Sequence, residues 1–571
     1  MLSRDLGRSP RRPPVDSVTY AEYHTCAVIF SPLRAAGPFA RIFALLPFLV
    51  VGGCSPVSPP PAYDLVLTGG LVVDGAGGPP FAADVALAGG RIADVGRPDP
   101  SRAARRIDVT GLVVAPGFID LHTHCDADIA DFPLAENYLR QGVTTVIGGN
   151  CGNHPYPVAE AFRSALGRGF APNWGLLAGH NTIRAKVMGY RAGPPSGDEM
   201  RRMKAMVEEE MASGALGFST GLSYLPGVFS DSDEVVELAG VAGKEGGFYA
   251  THLRDQGPDI SKALEEAVRV GELGRMRVEI SHIKLAYEKV WGRLDLITRP
   301  LEEARRRGVE VNLDVYPYTA VSTTLTSSFP AWSFEGGAEV FAQRLENPAL
   351  RARIKSSLVD VRFRSVRRRN RLRTTTIADC PAHPEYNGRN LEEILRGLKI
   401  VPTPGAAADL LIDIERSGGA GAVYFQMDEP DVEALLRRPD VLIGSDGGLT
   451  GAARGVPHPR NFGAFPRVIG VFVKDKGLFR LEEAVRKMTS LPARVLRLSD
   501  RGIVRPGMWA DLTVFDPRRF RDAATFSEPR QFAPGLVYVF VNGQAVLSGG
   551  RTTGAKPGRV IYGPGRKGVG T

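Results

Sequence analysis

Phe118-Ile119-Asp120-Leu121-His122-Thr123-His124 is the stretch on which the fold of this chain turns. A short run of strand character passes straight into two imidazoles, and alternation along a strand sets His122 and His124 on the same side. An apolar run that ends in metal-capable side chains matches the carboxyl end of a strand in a parallel barrel, where sites of that fold are built. Taken alone, two histidines around one residue say little, because a single histidine often serves only a local hydrogen bond. The weight of the motif depends on whether other runs end in the same way.

They do. Eight apolar runs with helical patterns between them can be named: Ala115–Leu121, Val143–Gly148, Trp174–Leu177, Ala215–Phe218, Gly247–Ala250, Arg277–Ile280, Val309–Val315 and Val441–Gly444. Eight strands alternating with helices predict an α/β chain built as a TIM (β/α)8 barrel. One of the intervening helices, over Asp198–Ala212, lines up Met200, Met203, Val207 and Met211 as a stripe for packing on the barrel. After the first run ends at His122 and His124, the others end in Gly149-Asn150-Cys151-Gly152, Gly179-His180, Ser219-Thr220-Gly221, Thr251-His252, Ser281-His282, Asp314-Val315-Tyr316 and Ser445-Asp446-Gly447. Five of the nine histidines therefore close a barrel run. Scattered core histidines have no reason to gather at strand ends, whereas a metal centre lined by several strands requires it. Imidazole nitrogens with one thiolate suit zinc better than magnesium or calcium, which take oxygen cages.

These motifs resemble the amidohydrolase superfamily and, within it, the D-aminoacylase (N-acyl-D-amino-acid deacylase) family. The resemblance runs from about Tyr63 to Gly543 and rests on Gly117-Phe-Ile-Asp-Leu-His-Thr-His, Gly149-Asn-Cys-Gly, Ser219-Thr-Gly-Leu-Ser-Tyr-Leu-Pro-Gly, Thr251-His-Leu-Arg, Ser281-His-Ile-Lys, Asp314-Val-Tyr-Pro-Tyr, Gly444-Ser-Asp-Gly and His458-Pro-Arg, in that order. It implies hydrolysis of the amide bond of N-acyl-D-amino acids. It further implies a tight zinc on Cys151 and His252, and a second, weaker metal position on His122, His124 and His282. Asp446 would be the general acid and base, and Lys284, Arg460, Tyr224 and Tyr316 would hold the substrate carboxylate, with Tyr318 competing with Tyr316. The chain departs from the family pattern at Cys125, at Ile283 and at Gln256, where a glutamate is expected. A cyclic-amide hydrolase or deaminase of the same superfamily is the alternative enzyme; a carboxylated lysine or a purine-type acid/base set would mark it, and the cysteine signature argues against it. A non-catalytic lipoprotein binding module is the alternative outside enzymes, against which stands retention of every ligand and of Asp446.

Outward from the barrel, short β-runs separated by Gly or Asp turns fill Tyr63–Val114, and the same texture returns near Ala510–Phe515 and Val537–Gly543. A small composite β-sandwich domain over 63–114 and 503–550 is expected, around a barrel over 115–502 with an inserted subdomain at about 321–427. Before it, Arg41 precedes the apolar stretch Ile42–Val51, then Gly52-Gly53-Cys54 and a Ser/Pro tract. This reads as an export signal over 1–53 whose Cys54 becomes a lipidated mature end, followed by a tether over 54–62. The stretch is about half the length needed to span a bilayer. The expected location is the periplasmic face of a bacterial membrane or, without lipidation, the periplasm or the cytoplasm.

Met1–Gly53 holds six arginines against three acids, so six of the nine net positive charges belong to the rest of the chain. That is no nucleic-acid signature. The densest run, 362–373 with seven arginines, reads as a solvated face. Loss of Cys26 and Cys54 by processing leaves Cys125, Cys151 and Cys380, an odd number without regular spacing, which argues against a disulfide framework.

Overall fold

A computed structural model describes residues 62–363, 372–449 and 455–567. The export segment with Cys54, and most of the arginine-rich run, lie outside them; at its edge, Arg373 pairs with Glu392 at 2.7 Å.

All eight runs form strands: Phe118–Asp120, Val143–Gly148, Asn173–Leu176, Gly217–Gly221, Phe248–His252, Val278–Ile280, Val311–Val315 and Val441–Ile443. Every residue in them is buried, as parallel strands covered on both faces require. The first three pair in parallel as one arc and the last five as another. The arcs meet at two seams. At one, Leu216 N–H donates to the Leu176 carbonyl at 2.8 Å and Ala178–Gly179 pairs with Phe218–Ser219. At the other, Gly447–Gly448 runs parallel to Thr123–His124, and Asp446 N–H donates to the His122 carbonyl at 2.9 Å. The second seam clamps the first and last strand ends together, which brings His122, His124 and Asp446 side by side.

Helices fill the outside. Gly197–Ala212 starts at a capping box between Ser196 and Glu199 and buries Met203, Val207 and Met211 inward. A nine-stranded sheet joins residues near both ends of the described chain: Val113–Pro116 pairs in parallel with Leu65–Val72 and antiparallel with Leu512–Phe515. Leu67, Val85, Leu87 and Ile92 share one core with Leu512, Val514 and Phe540. Between the seventh and eighth barrel strands, Val321–Thr324, Thr375–Asp379 and Gly421–Tyr424 form a separate antiparallel sheet with a core of its own around Phe329, Phe341, Ile354, Leu391 and Leu411. The third run differs from its sequence reading. The chain adds the two-residue strand Ala178–Gly179 and turns into the helix His180–Met188, which carries His180 away from the barrel mouth.

Candidate active site

Cys151, His282 and Asp446 each follow a barrel strand in a left-handed backbone conformation, with φ of 52°, 37° and 52°. Side-chain-bearing residues pay about 1–2 kcal/mol to sit there, and such strain collects at functional sites. The Gly-Asn-Cys-Gly signature has a steric origin. A Cβ at Gly149 would lie 2.2 Å from the Leu177 carbonyl oxygen, and one at Gly152 2.2 Å from Asn181 Oδ1. Between them Asn150 Nδ2 donates to the Ile147 and Leu121 carbonyls at 3.0 and 3.2 Å, fixing the turn that aims Cys151 inward.

The thiol is the common point of the cluster. Cys151 Sγ lies 3.5 Å from His122 Nε2, 3.8 Å from His252 Nδ1 and 3.6 Å from His282 Nε2. Three overlapping groups have donor atoms within 4.8 Å of one another: His122, His124 and Cys151; Cys151, His252 and His282; and His122, His282 and Asp446. Tetrahedral zinc with Zn–S and Zn–N bonds of about 2.3 and 2.05 Å separates its sulfur and nitrogen ligands by roughly 3.6 Å. The spacing and the nitrogen–thiolate donor set both fit zinc. His282 belongs to two of the groups, so it stands with Cys151 and His252 as closely as with His122.

Burial alone would push the Cys151 thiol up, but the facing His122, with hydrogen bonds from His122, His124 and His252, holds it well below the usual thiol range. Burial, Lys284 and His252 keep His282 well below its usual value and its ring neutral. A thiolate and a neutral imidazole are the ligand forms a metal needs. Burial also disfavours charge on Asp446, yet the facing Arg460, with a hydrogen bond from His124, holds it well below the ordinary carboxylate range. Its Oδ1 lies 3.0 Å from His124 Nε2 and 3.6 Å from His122 Nε2.

Two orienting residues carried no role in the sequence reading. Asp314, fully buried, meets His122 Nδ1 at 3.0 and 3.1 Å and accepts from the His282 backbone N–H at 2.8 Å. Gln256 lies with Nε2 3.1 Å from His282 Nδ1, and its Oε1 accepts from Lys284 Nζ at 2.7 Å. Outer partners of this kind fix the ring orientation of ligating histidines. An aspartate inside the seventh strand end was visible in the sequence; its aim across the barrel was not.

The residues expected to hold a carboxylate gather beside the cluster. Arg460 Nη1 stands 2.7 Å from Asp446 Oδ2, while its Nε and Nη1 are buried without an acceptor in hydrogen-bonding line. His458 explains the His-Pro-Arg motif: its Nδ1 accepts from the Arg460 backbone N–H at 3.0 Å and its Nε2 meets the Ala320 carbonyl at 3.1 Å. The Tyr316 ring lies 5.0 Å from the Arg460 guanidinium and 5.5 Å from Lys284 Nζ. Tyr318 turns elsewhere, its hydroxyl 3.5 Å from the Pro459 carbonyl and its ring under Arg467. Tyr224 packs its ring 4.4 Å from that of His252. Burial brings Lys284 down to about 7, with Asp446 opposing and Arg460 adding to the fall. Beside these groups opens a cavity of about 640 Å³ lined by His124, Cys151, Asp446 and Arg460, and by residues of the inserted segment.

The sequence pattern of the amidohydrolase family matches residues 105–547. The chain is 38% identical to a D-aminoacylase of Alcaligenes xylosoxydans xylosoxydans over 87% of this chain and 97% of the relative. Among solved structures it is similar to D-aminoacylase, with a TM-score of 0.74 at 37% identity, covering 88% of this chain and all of that one. It is equally similar in fold, at 32% identity over 88% of this chain and 99% of the other, to the N-acyl-D-glutamate deacylase of Bordetella bronchiseptica in complex with zinc and a phosphonate that mimics the tetrahedral reaction intermediate. Matches of this length, joined to a thiolate–imidazole cluster at the mouth of a barrel, place the chain in the amidohydrolase family, in its D-aminoacylase (N-acyl-D-amino-acid deacylase) group.

Proposed function

We propose that this chain uses zinc to hydrolyse the amide bond of N-acyl-D-amino acids, releasing the D-amino acid and a carboxylate. The observation that carries the reading is the placement of Arg460, a buried guanidinium whose Nε has no partner and whose Nη2 donates to the Ser322 carbonyl at 3.2 Å, next to Asp446 and the Cys151–histidine cluster. His122, His124, Cys151, His252 and His282 are the residues that would hold metal. Zinc bound there would supply a Lewis acid for the amide carbonyl and an acidified water. Asp446 takes the proton of the attacking water and returns it to the leaving nitrogen, so that water is added across the C–N bond and no other reactant is needed. Arg460 and Lys284 clamp the substrate carboxylate, Arg460 in the bidentate manner suited to it. With carboxylate and carbonyl both fixed, the side chain at the α-carbon has one direction open, which makes the reaction enantioselective; the preference for D follows from the relatives.

Turnover of paired N-acetyl-D- and N-acetyl-L-amino acids by the zinc-loaded protein tests this directly. Arg460→Ala is expected to lose about 2 to 5 kcal/mol of transition-state binding, the cost of leaving a buried carboxylate without its partner. It should also narrow the gap between N-acyl amino acids and amides lacking a carboxylate. Unchanged kcat/KM and an unchanged preference for the free carboxylate would reduce the protein to an undefined metal-dependent amidase.

We further propose export with lipidation at Cys54, on the apolar stretch and the Ser/Pro tract that bracket it. Among the described residues no helix is long and apolar enough to cross a membrane. Cys54→Ala should release the protein from membranes of its host; an intact, unprocessed residue 54 by mass spectrometry would remove the proposal.

A further inference from the structure

The cavity beside Cys151 and Asp446 continues into the inserted subdomain, and its wall there carries an acidic side chain that amide hydrolysis leaves unused. Tyr190, Leu225, Val228, Phe329 and Phe334 give the passage an apolar surface, beside Thr323, Thr324, Thr326 and Ser327. Among the described residues lining it, the acidic and basic side chains at the catalytic end are His124, Asp446 and Arg460, and the one beyond them is Glu415. Glu415 sits in the last turn of the helix Pro404–Arg416. Its Oε1 accepts from Thr326 Oγ1 at 2.7 Å, and its Oε2 is buried with no hydrogen-bond partner. Burial holds this carboxyl above its ordinary range, Thr326 pulling the other way.

A buried carboxyl oxygen without a donor is costly, and proteins retain such groups where something arrives to satisfy them. Here the same side chain lines a cavity that opens on the reaction centre, so a turn of the carboxyl brings that oxygen to a donor carried by the substrate. A cation is the strongest donor a carboxyl can receive, and pairing would restore its ionised form. The apolar part of the wall suits the methylenes behind such a cation, since long basic side chains lay their stems along apolar surface and present the charge at the tip. An acidic side chain would meet a second acid in a low-dielectric wall, with no lysine beyond the catalytic end, and no arginine but Arg460, among the described residues lining the cavity.

Resting on the N-acyl-D-amino-acid reading, we propose that this passage receives the side chain of the D-amino acid and that Glu415 determines its specificity, favouring an aliphatic stem tipped by a cation and rejecting an acidic side chain.

The test holds the acyl group constant and varies the side chain: kcat/KM of the full-length, zinc-loaded protein on Nα-acetyl-D-lysine, N-acetyl-D-norleucine and N-acetyl-D-glutamate, for the wild type and Glu415→Gln. D-lysine should exceed D-norleucine by about tenfold, the value of one charge-assisted pair over a neutral contact, and D-glutamate should trail both. Glu415→Gln should collapse the lysine-to-norleucine ratio by about tenfold and raise glutamate relative to norleucine. An unchanged ratio in the variant, or a wild type that prefers norleucine to lysine or glutamate to either, overturns the assignment. The wild-type ordering alone decides if the variant fails to fold. Turnover of norleucine with the wrong ratios removes this inference and leaves the hydrolytic function standing; no turnover on any of the three removes both.

Discussion

His122, His252 and His282 are at most 8% exposed, and so are His154 and His180, yet the two sets do different work. Away from the mouth each histidine has its own acid. His154 Nε2 lies 3.2 Å from Glu210, which also accepts from the Val158 backbone N–H at 2.8 Å; His180 Nε2 lies 2.7 Å from Glu234, which in turn pairs with buried Arg184. At the mouth the histidines converge on one sulfur and face a cavity. Burial is therefore common to structural and functional histidines in this molecule, and a carboxylate partner, which His122 has in Asp314, does not tell them apart. What distinguishes the functional set is convergence of donors on one point, together with groups such as Arg460, whose buried Nε has no partner in the protein.

The sharpest way to break that distinction is at the mouth itself. Asp446→Asn should keep the zinc held by Cys151 and the neighbouring histidines while losing on the order of 10³-fold or more in kcat, since it removes the group that moves the proton. Cys151→Ser, replacing a thiolate by a poor neutral ligand, should lower zinc content and activity together. Metal analysis beside steady-state kinetics separates the two; near-normal turnover by Asp446→Asn would withdraw its assigned role.

The outer set should answer in stability and leave the metal alone. Glu234→Gln strands Arg184 and His180 in a fully buried setting, and breaking such a pair costs about 3 to 5 kcal/mol. Zinc content per folded molecule should stay at the wild-type level. Burial alone would raise the Glu234 carboxyl, but His180 and Arg184 hold it below its ordinary 4.5. Stability from that depressed value is present above about 4.5 and drains away as pH falls through the folded-state pKa. The gap between wild type and variant should therefore be full at pH 7 and shrink in acid. Denaturation curves at both pH values check it, and a gap that widens toward low pH would mean that the pair is not ionised in the fold.

How far the sequence disclosed all this follows from what a one-dimensional pattern can hold. The barrel was legible because each parallel strand is buried on both faces and writes itself as an apolar run, and because chemistry at a barrel mouth must sit directly after such runs. The metal-capable residues were legible for the same reason. His180 shows the limit: it follows a run as the others do, but the extra pair Ala178–Gly179 and an immediate helix turn it toward Glu234. The groups that aim the cluster were hidden because their partners are assigned by closure of the barrel. Asp314 reaches His122 across 192 positions, and its contact with the His282 backbone N–H spans 32. Tyr316 and Tyr318, interchangeable as text, separate once the turn after the seventh strand puts only the first under Arg460.

The smallest expected effect tests whether convergence needs aiming as well as ligands. Gln256 was conspicuous in the sequence only as a departure from an expected glutamate, and the structure places it between His282 Nδ1, at 3.1 Å, and Lys284 Nζ, at 2.7 Å. A histidine that gives Nε2 to a metal carries its proton on Nδ1 and needs an acceptor there; the Gln256 amide supplies one when it turns its oxygen, in place of the nitrogen that faces Nδ1 here, to that atom, and a carboxylate supplies one in either orientation. Gln256→Leu removes both contacts without touching a ligand and should weaken zinc binding by about tenfold, the lower end of what such orienting partners are worth. Gln256→Glu should bind zinc at least as tightly as the wild type, because it restores an acceptor to His282 and gives Lys284 a charged partner. Competition with a chelator reads both affinities independently of turnover. If Gln256→Leu holds zinc as tightly as the wild type, the ring of His282 is set by packing against His252, whose centroid lies 4.3 Å away, and the hydrogen bond to Gln256 is incidental.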